Sequence, residues 1–212
     1  MTSSIELEVQ DSIATITFNR PKQRNAINYE GWLELQEISE GLSRDNSVRA
    51  VVLTGSGEEA FSAGADIKDF DKHRNNAKVA SQYAAAFDGA LDAIEALPMP
   101  TICCIKGFCV GGGCELAMAA DIRISAINGR FGIPVAKLGI LVGYHEMRRL
   151  VNLVGPSNTT YLLMSGQIID AQEALRIGLV HNVISLTDIV AHTYQLAKEI
   201  VQLAPLSHRR HK

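Results

Sequence analysis

Ile105-Lys-Gly-Phe-Cys-Val-Gly-Gly-Gly-Cys-Glu-Leu116 decides the reading of this chain, together with Phe61-Ser-Ala-Gly-Ala-Asp-Ile-Lys68. Both segments read as glycine-containing turns that leave an apolar strand and enter a helix. The start of a helix leaves backbone N–H groups without intrahelical partners. The helix dipole adds partial positive charge at the same end. Two such turns facing one another make a site for a developing oxyanion, which is a catalytic device. Glu115 sits just inside the second helix, placed to reach the same point.

Outward from these turns, the chain alternates between strand and helix patterns. Ile5 to Val9 and Ile13 to Phe18 alternate apolar and polar residues and read as a hairpin, which Asn19-Arg20-Pro21 ends. Asn28 is the predicted N-cap of a helix running to about Leu42, with Trp32, Leu35, Ile38 and Leu42 on one face. Val48 to Thr54 reads as a short strand closed by Gly55-Ser56-Gly57. That glycine-flanked serine lacks the spacing of a nucleophile elbow. Asp69 to Asn76 reads as a polar, mobile connection, and a helix from about Lys78 to Leu97 ends at Pro98 and Pro100.

Downstream come a strand at Thr101 to Ile105, a helix at Gly112 to Ala120 and a strand at Asp121 to Ala126. An irregular segment runs from Phe131 to Gly143, then a helix from about His145 to Val154 that Gly155-Pro156 stops. Ser157 caps the next helix in this reading. A short helix at Asp170 to Arg176, a strand at Leu179 to Ile184 and an amphipathic helix at Leu186 to Leu203 complete the pattern. Such alternation implies an α/β domain with mostly parallel pairing. No linker, low-complexity tract or repeat of fixed period is visible.

The 212 residues suffice for one sizeable domain with a buried core. Apolar residues make up 47% and aromatics only 6%, so the core rests on Val, Ile, Leu and Ala, which suits strands packed on helices. A net charge of -3 supplies no basic field for nucleic acid or a membrane surface. There is no signal-peptide pattern and no apolar run of membrane-spanning length, so a cytoplasmic protein is expected. The cysteines Cys103, Cys104, Cys109 and Cys114 form no CxxC pair and have no histidine nearby in sequence. They are expected to be reduced, buried thiols, with no metal.

Asn19-Arg-Pro-Lys-Gln-Arg-Asn-Ala26, the 61–68 turn, Gly111-Gly-Gly-Cys-Glu-Leu-Ala-Met-Ala-Ala-Asp121, Phe131-Gly-Ile-Pro134 and Ala171-Gln-Glu-Ala-Leu-Arg-Ile-Gly-Leu-Val180 occur in that order. Together they resemble the enoyl-CoA hydratase (crotonase) superfamily over nearly the whole chain. The resemblance implies a crotonase-like spiral of ββα units with flanking helices. It implies a core domain over residues 1–200, with residues 201–212 as the start of a truncated C-terminal helical region. It also implies a homotrimer or dimer of trimers that binds acyl-CoA thioesters. No cofactor is implied beyond the CoA carried by the substrate.

By the same resemblance, the N–H groups of Ala65 and Gly112 form the oxyanion hole. Lys22, Arg24, Ala63, Ala65, Asp66, Ile67 and Lys68 contact CoA, with Arg20 in the same segments. Glu115 matches a catalytic glutamate. Val135 stands where hydratases place a second one, and valine cannot transfer a proton. The nearest replacements are His145 and Glu146, with Tyr144 a further donor. The implied activity is hydration or isomerisation of an enoyl-CoA through a thioester enolate. Alternatives are acyl-CoA decarboxylation or thioester hydrolysis on the same scaffold, and a non-catalytic CoA-binding protein.

Overall fold

A computed structural model describes residues 4–73 and 75–212. Strands β1 (Ile5–Gln10) and β2 (Ile13–Phe18) pair antiparallel. Asp11 and Ser12 close that hairpin with φ of +51° and +63°, the sign that a two-residue turn matched to strand twist requires. From β2 onward the large sheet is parallel. It adds β3 (Ala50–Gly55), β5 (Thr101–Ile105), β7 (Ile122–Ala126) and β10 (Asn182–Ile184), in the order β1-β2-β3-β5-β7-β10.

The strands β4 (Ala60–Ser62), β6 (Phe108–Val110), β8 (Arg130–Gly132) and β9 (Ile169–Asp170) form a second sheet in the order β4-β6-β8-β9. Its first three strands are parallel, and β9 runs antiparallel to β8. Each of β3, β5 and β7 is thus followed within a few residues by a short strand in the other sheet. Helical structure follows in turn: α3 (Ala77–Glu95) after β4, α4 (Gly112–Ala119) after β6 and α5 (Tyr144–Ser165) after β8. This repeated step is the ββα spiral that the motifs imply.

The central strands are unbroken apolar runs because both faces of the large sheet are covered. Val51, Leu53, Cys103 and Ile105 point into one core with Phe18, Trp32, Leu35 and Ile94. Trp32 and Leu35 come from α1 (Tyr29–Arg44), which Asn28 caps by accepting from Gly31 N–H at 3.1 Å. Ala50, Val52, Ile102 and Cys104 point the other way, onto Ile189, Ala197 and Ile200 of α7 (Ile189–Val201).

The elements follow the sequence reading in outline, with these differences among others. The polar stretch Asp69 to Asn76 contains a helical turn, α2 (Phe70–His73), before Asn76 caps α3; Arg74 lies outside the described residues. The segment from Phe131 to Gly143 contributes to β8 and to a 3-10 turn at Val135–Lys137. Only Asn182–Ile184 of the expected strand from Leu179 pairs with β7. Leu179 is held instead by Arg123, whose Nε donates to its carbonyl at 2.8 Å. Finally, α5 continues past Val154, with a break at Gly155 (φ +75°) before Pro156.

Arg123 is buried and also donates to the carbonyls of Ala117 and Ala120, so its charge sits at the C-terminal end of α4. Its backbone N–H donates to Nδ1 of His181 at 3.2 Å. All four cysteines are free and buried, and burial pushes the Cys103 thiol up to about 12. Among the described residues, no helix is long and apolar enough to cross a membrane.

Partial burial, and then the Arg123 charge, hold the His181 pKa below its ordinary 6.5. The unfolded chain therefore binds the proton more readily. The His181 contribution to stability is complete above pH 6.5 and is lost as pH falls through the lower folded value. Urea midpoints of the wild-type protein should drop more between pH 7.5 and 5.5 than those of His181→Gln; equal drops would exclude His181 as the source. A thiol-disulfide reagent should label none of the four cysteines in the native protein within minutes and all four in urea.

Candidate active site

The turn after β4 is zipped to the segment before α1. Ala63 N–H donates to Arg24 O at 2.9 Å, Ile27 N–H to Gly64 O at 2.8 Å and Asp66 N–H to Ile27 O at 2.9 Å. Ile27 and Ala65 form a parallel bridge through the last two bonds, which turns the N–H of Ala65 itself to the opposite side. Ser62 Oγ donates to Asn25 O at 2.8 Å and accepts from Gly64 N–H at 3.1 Å. Buried Asn25 donates to the carbonyls of Ser56 and Ala60. Arg20 closes the frame by donating to Asp66 and Ala26 O, each at 2.8 Å. Sequence reading missed Asn25 and Ser62 as the parts that fix this loop.

The turn after β6 enters α4. Gly111 N–H donates to Gly132 O at 2.8 Å, and Gly111 O accepts the first helical bond, from Glu115 N–H, at 3.0 Å. Gly112 is the first helical residue, so its N–H has no intrahelical partner. The two turns touch backbone to backbone. A Cβ on Gly64 (φ +90°) would lie 2.7 Å from both Gly112 N and Val110 O, and one on Gly113 would run into Ser62 O. A Cβ on Gly112 would stand 3.3 Å from Ala65 N. Among the described residues, neither the Ala65 nor the Gly112 N–H is engaged in a hydrogen bond.

Both residues line a cavity of about 620 Å³. Ile67, Phe70, Phe87, Val110, Val135 and Leu141 make its wall largely apolar, as in small-molecule sites generally. Among the described residues, three carboxylates, Asp88, Glu115 and Glu146, and one cation, Lys137, share the lining. Glu115 lies in the first turn of α4 and is only 7% exposed. Glu146 is 2% exposed and folds back on Gly143, the N-cap of its own helix. Its Oε1 accepts from Arg149 at 3.1 Å. Arg149 also binds Asp92 at 2.6 Å and Glu95 at 2.5 Å, which ties α5 to α3.

Of the residues named from sequence, the cavity brings together Ala63, Ala65, Ile67, Gly112, Glu115 and Glu146. His145 is not in its lining: the side chain is 59% exposed and Nδ1 sits 3.8 Å from Asp92. Tyr144 is 80% exposed and also outside the lining. Lys22 and Lys68 are on the surface, and Asp66 is held by Arg20. Arg24 donates to Glu59 at 2.7 Å and lies 4.8 Å over the Phe108 ring.

Asp88 is the cavity carboxylate that sequence reading missed. Its signal is helical spacing: Ala80, Ala84, Phe87 and Asp88 share the face of α3 that lines the cavity. Asp88 is exposed at one side, and partial desolvation, then Glu146 and Asp92, raise its pKa, against weaker lowering by His145 and Arg149. No hydrogen bond or ion pair holds it among the described residues.

The chain matches the family model for enoyl-CoA hydratase/isomerase over residues 8–212. It is 38% identical to the short-chain-enoyl-CoA hydratase of Clostridium acetobutylicum, over 97% of this chain and 78% of that protein. It is 37% identical to the crotonyl-CoA hydratase of Syntrophomonas wolfei, over 99% of this chain and 80% of that protein. The solved structure of an enoyl-CoA hydratase/carnithine racemase from Magnetospirillum magneticum matches with a TM-score of 0.96 at 41% identity, covering 100% of this chain and 79% of that one.

The contact between the turns makes Gly64→Ala a direct test of the geometry. The variant combines a disfavoured φ with a backbone clash, so a loss of about 1–3 kcal/mol is expected in urea unfolding. An unchanged midpoint would mean that the turns separate freely.

Proposed function

The chain belongs to the enoyl-CoA hydratase/isomerase family, and on that premise we propose that it hydrates an enoyl-CoA thioester through an enolate held by the Ala65 and Gly112 amides. One observation carries the reading: two backbone N–H groups without partners, from turns in direct contact, open onto a cavity that also holds Glu115. Charge that develops on the thioester oxygen meets donors already oriented, at the positive end of α4. Glu115 takes a proton from water as the water oxygen bonds to Cβ. The electron pair of the double bond moves onto the thioester oxygen, and an acid then protonates Cα. Moving the double bond uses the same enolate with proton removal and return.

Val135 lines the cavity and supplies no proton. Glu146 is the second carboxylate within the lining, whereas His145 faces Asp92 and takes no step. The CoA arm follows the backbone at Ala63, Ala65, Asp66, Ile67 and Lys68. Lys22, Arg24 and Lys68 lie on the surface, available to its phosphates. Val135 also favours a second reading, decarboxylation of a malonyl-type thioester, which needs the amide pair but fewer acid and base groups.

Turnover of crotonyl-CoA, followed by loss of the enoyl-thioester absorbance, tests the assignment. Glu115→Gln should lower kcat about 10²–10⁴-fold while CoA affinity stays the same. Equal turnover in the variant would remove Glu115 from the reaction. Loss of carbon dioxide from ethylmalonyl-CoA, with crotonyl-CoA untouched, would favour the second reading.

A further inference from the structure

We propose that Asp88, on α3, is the second proton-handling residue and delivers the proton to Cα, the role that Val135 cannot fill. The inference rests on the hydration reading above and names its second proton-handling residue. Among the described residues three carboxylates line the cavity, and they are not equivalent. Glu115 stands in the first turn of α4, beside the amide pair. Both oxygens of Glu146 are engaged, one by Arg149 and the other against the start of α5. Asp88 has neither contact among the described residues.

Asp88 lies among charges from three elements besides its own. Glu146 of α5 and Asp92 of its own helix disfavour a third negative charge. His145 and Arg149 of α5 oppose them, but Arg149 already binds Asp92, Glu95 and Glu146. Glu115 of α4 adds a further acid to the cavity, and Lys137 of the 3-10 turn a cation. Asp88 is exposed, so solvent can restore its proton after each turnover.

The step balances. The Asp88 O–H bond breaks, its proton forms the Cα–H bond, and the enolate pair returns to that bond as the thioester carbonyl reforms. Asp88 is left a carboxylate and Glu115 an acid. Glu115 releases to solvent the proton it took from water, and Asp88 regains one.

The test uses the full chain with crotonyl-CoA and the variants Asp88→Asn, Asp88→Leu and Asp88→Glu. Asp88→Asn and Asp88→Leu should lower kcat by about 10²-fold or more and abolish the high-pH limb of the kcat profile. CoA affinity and the urea midpoint should hold. Asp88→Glu should restore most of the turnover and the limb. In the reverse direction, exchange of the Cα hydrogen of 3-hydroxybutyryl-CoA with deuterated solvent should stop in Asp88→Asn.

Wild-type kcat, an intact high-pH limb and continued exchange in Asp88→Asn, beside an inactive Glu115→Gln, would overturn the role of Asp88 and leave the hydration reading standing. Wild-type protein inert towards crotonyl-CoA would overturn that reading, and this inference with it. Should Asp88→Asn fail to fold, wild-type kcat with an intact high-pH limb in a folded Asp88→Leu would equally refute the assignment.

Discussion

Everything in this site depends on the backbone contact between Gly64 and the turn at Gly112 and Gly113. That contact holds only while no side chain intrudes, so it requires glycine at 64 and 113 for steric reasons alone. The sheets bring the two turns together. β4 and β6 are parallel neighbours, with Ala60 opposite Phe108 and Ser62 opposite Cys109. Parallel neighbours leave a sheet at the same edge, where α/β proteins characteristically bind ligands. The ββα step thus delivers two chain exits side by side, and the glycines let them close to contact.

The surrounding structure holds that contact from both sides. On one side, residues 24–27 take up the N–H groups of Ala63 and Asp66 and leave Ala65 aimed away. On the other, every residue of α4 is buried, so water screens its dipole weakly. Arg123 compensates the negative end of the same helix. The helix is anchored at its C-terminus by a buried cation and presents its free N–H groups to the cavity. Arg123 thereby contributes to the electrostatics of the cavity from the opposite end of α4.

The parts legible in the sequence were those fixed by local sterics or by runs of burial. The glycine turns stand out because few residues tolerate such conformations, and the strands of the large sheet stand out as apolar runs. The second sheet was not legible as strands. Its members span two or three residues, shorter than any pattern of alternation can reveal. The repeat was hidden for a related reason: the helices that follow β4, β6 and β8 have 19, 8 and 22 residues, so no period survives. Glu146 was visible as an acid near a helix start, but its tie to Arg149 and through it to Asp92 and Glu95 exists only once α3 and α5 pack. Asp88 looked like one polar residue on a long helix until the cavity showed which face it occupies.

Val135 changes where the acid–base chemistry of the site has to be sought. A glutamate at that position would follow β8 directly and take its placement from the backbone of the spiral. With valine there, the acids still facing the cavity beyond Glu115 come from α3 and α5. Their relative position depends on how those helices pack, and Arg149 sets that packing by binding carboxylates on both. A salt-bridge cluster therefore takes over part of the positioning that backbone hydrogen bonds provide at the oxyanion turn. Arg149 is 4% exposed and its pair with Glu146 is buried on both sides, whereas Asp92 and Glu95 are half exposed and their pairs are more screened. The cavity thus combines one wall of free amides fixed by backbone contacts with another of carboxylates positioned by an ion-pair cluster.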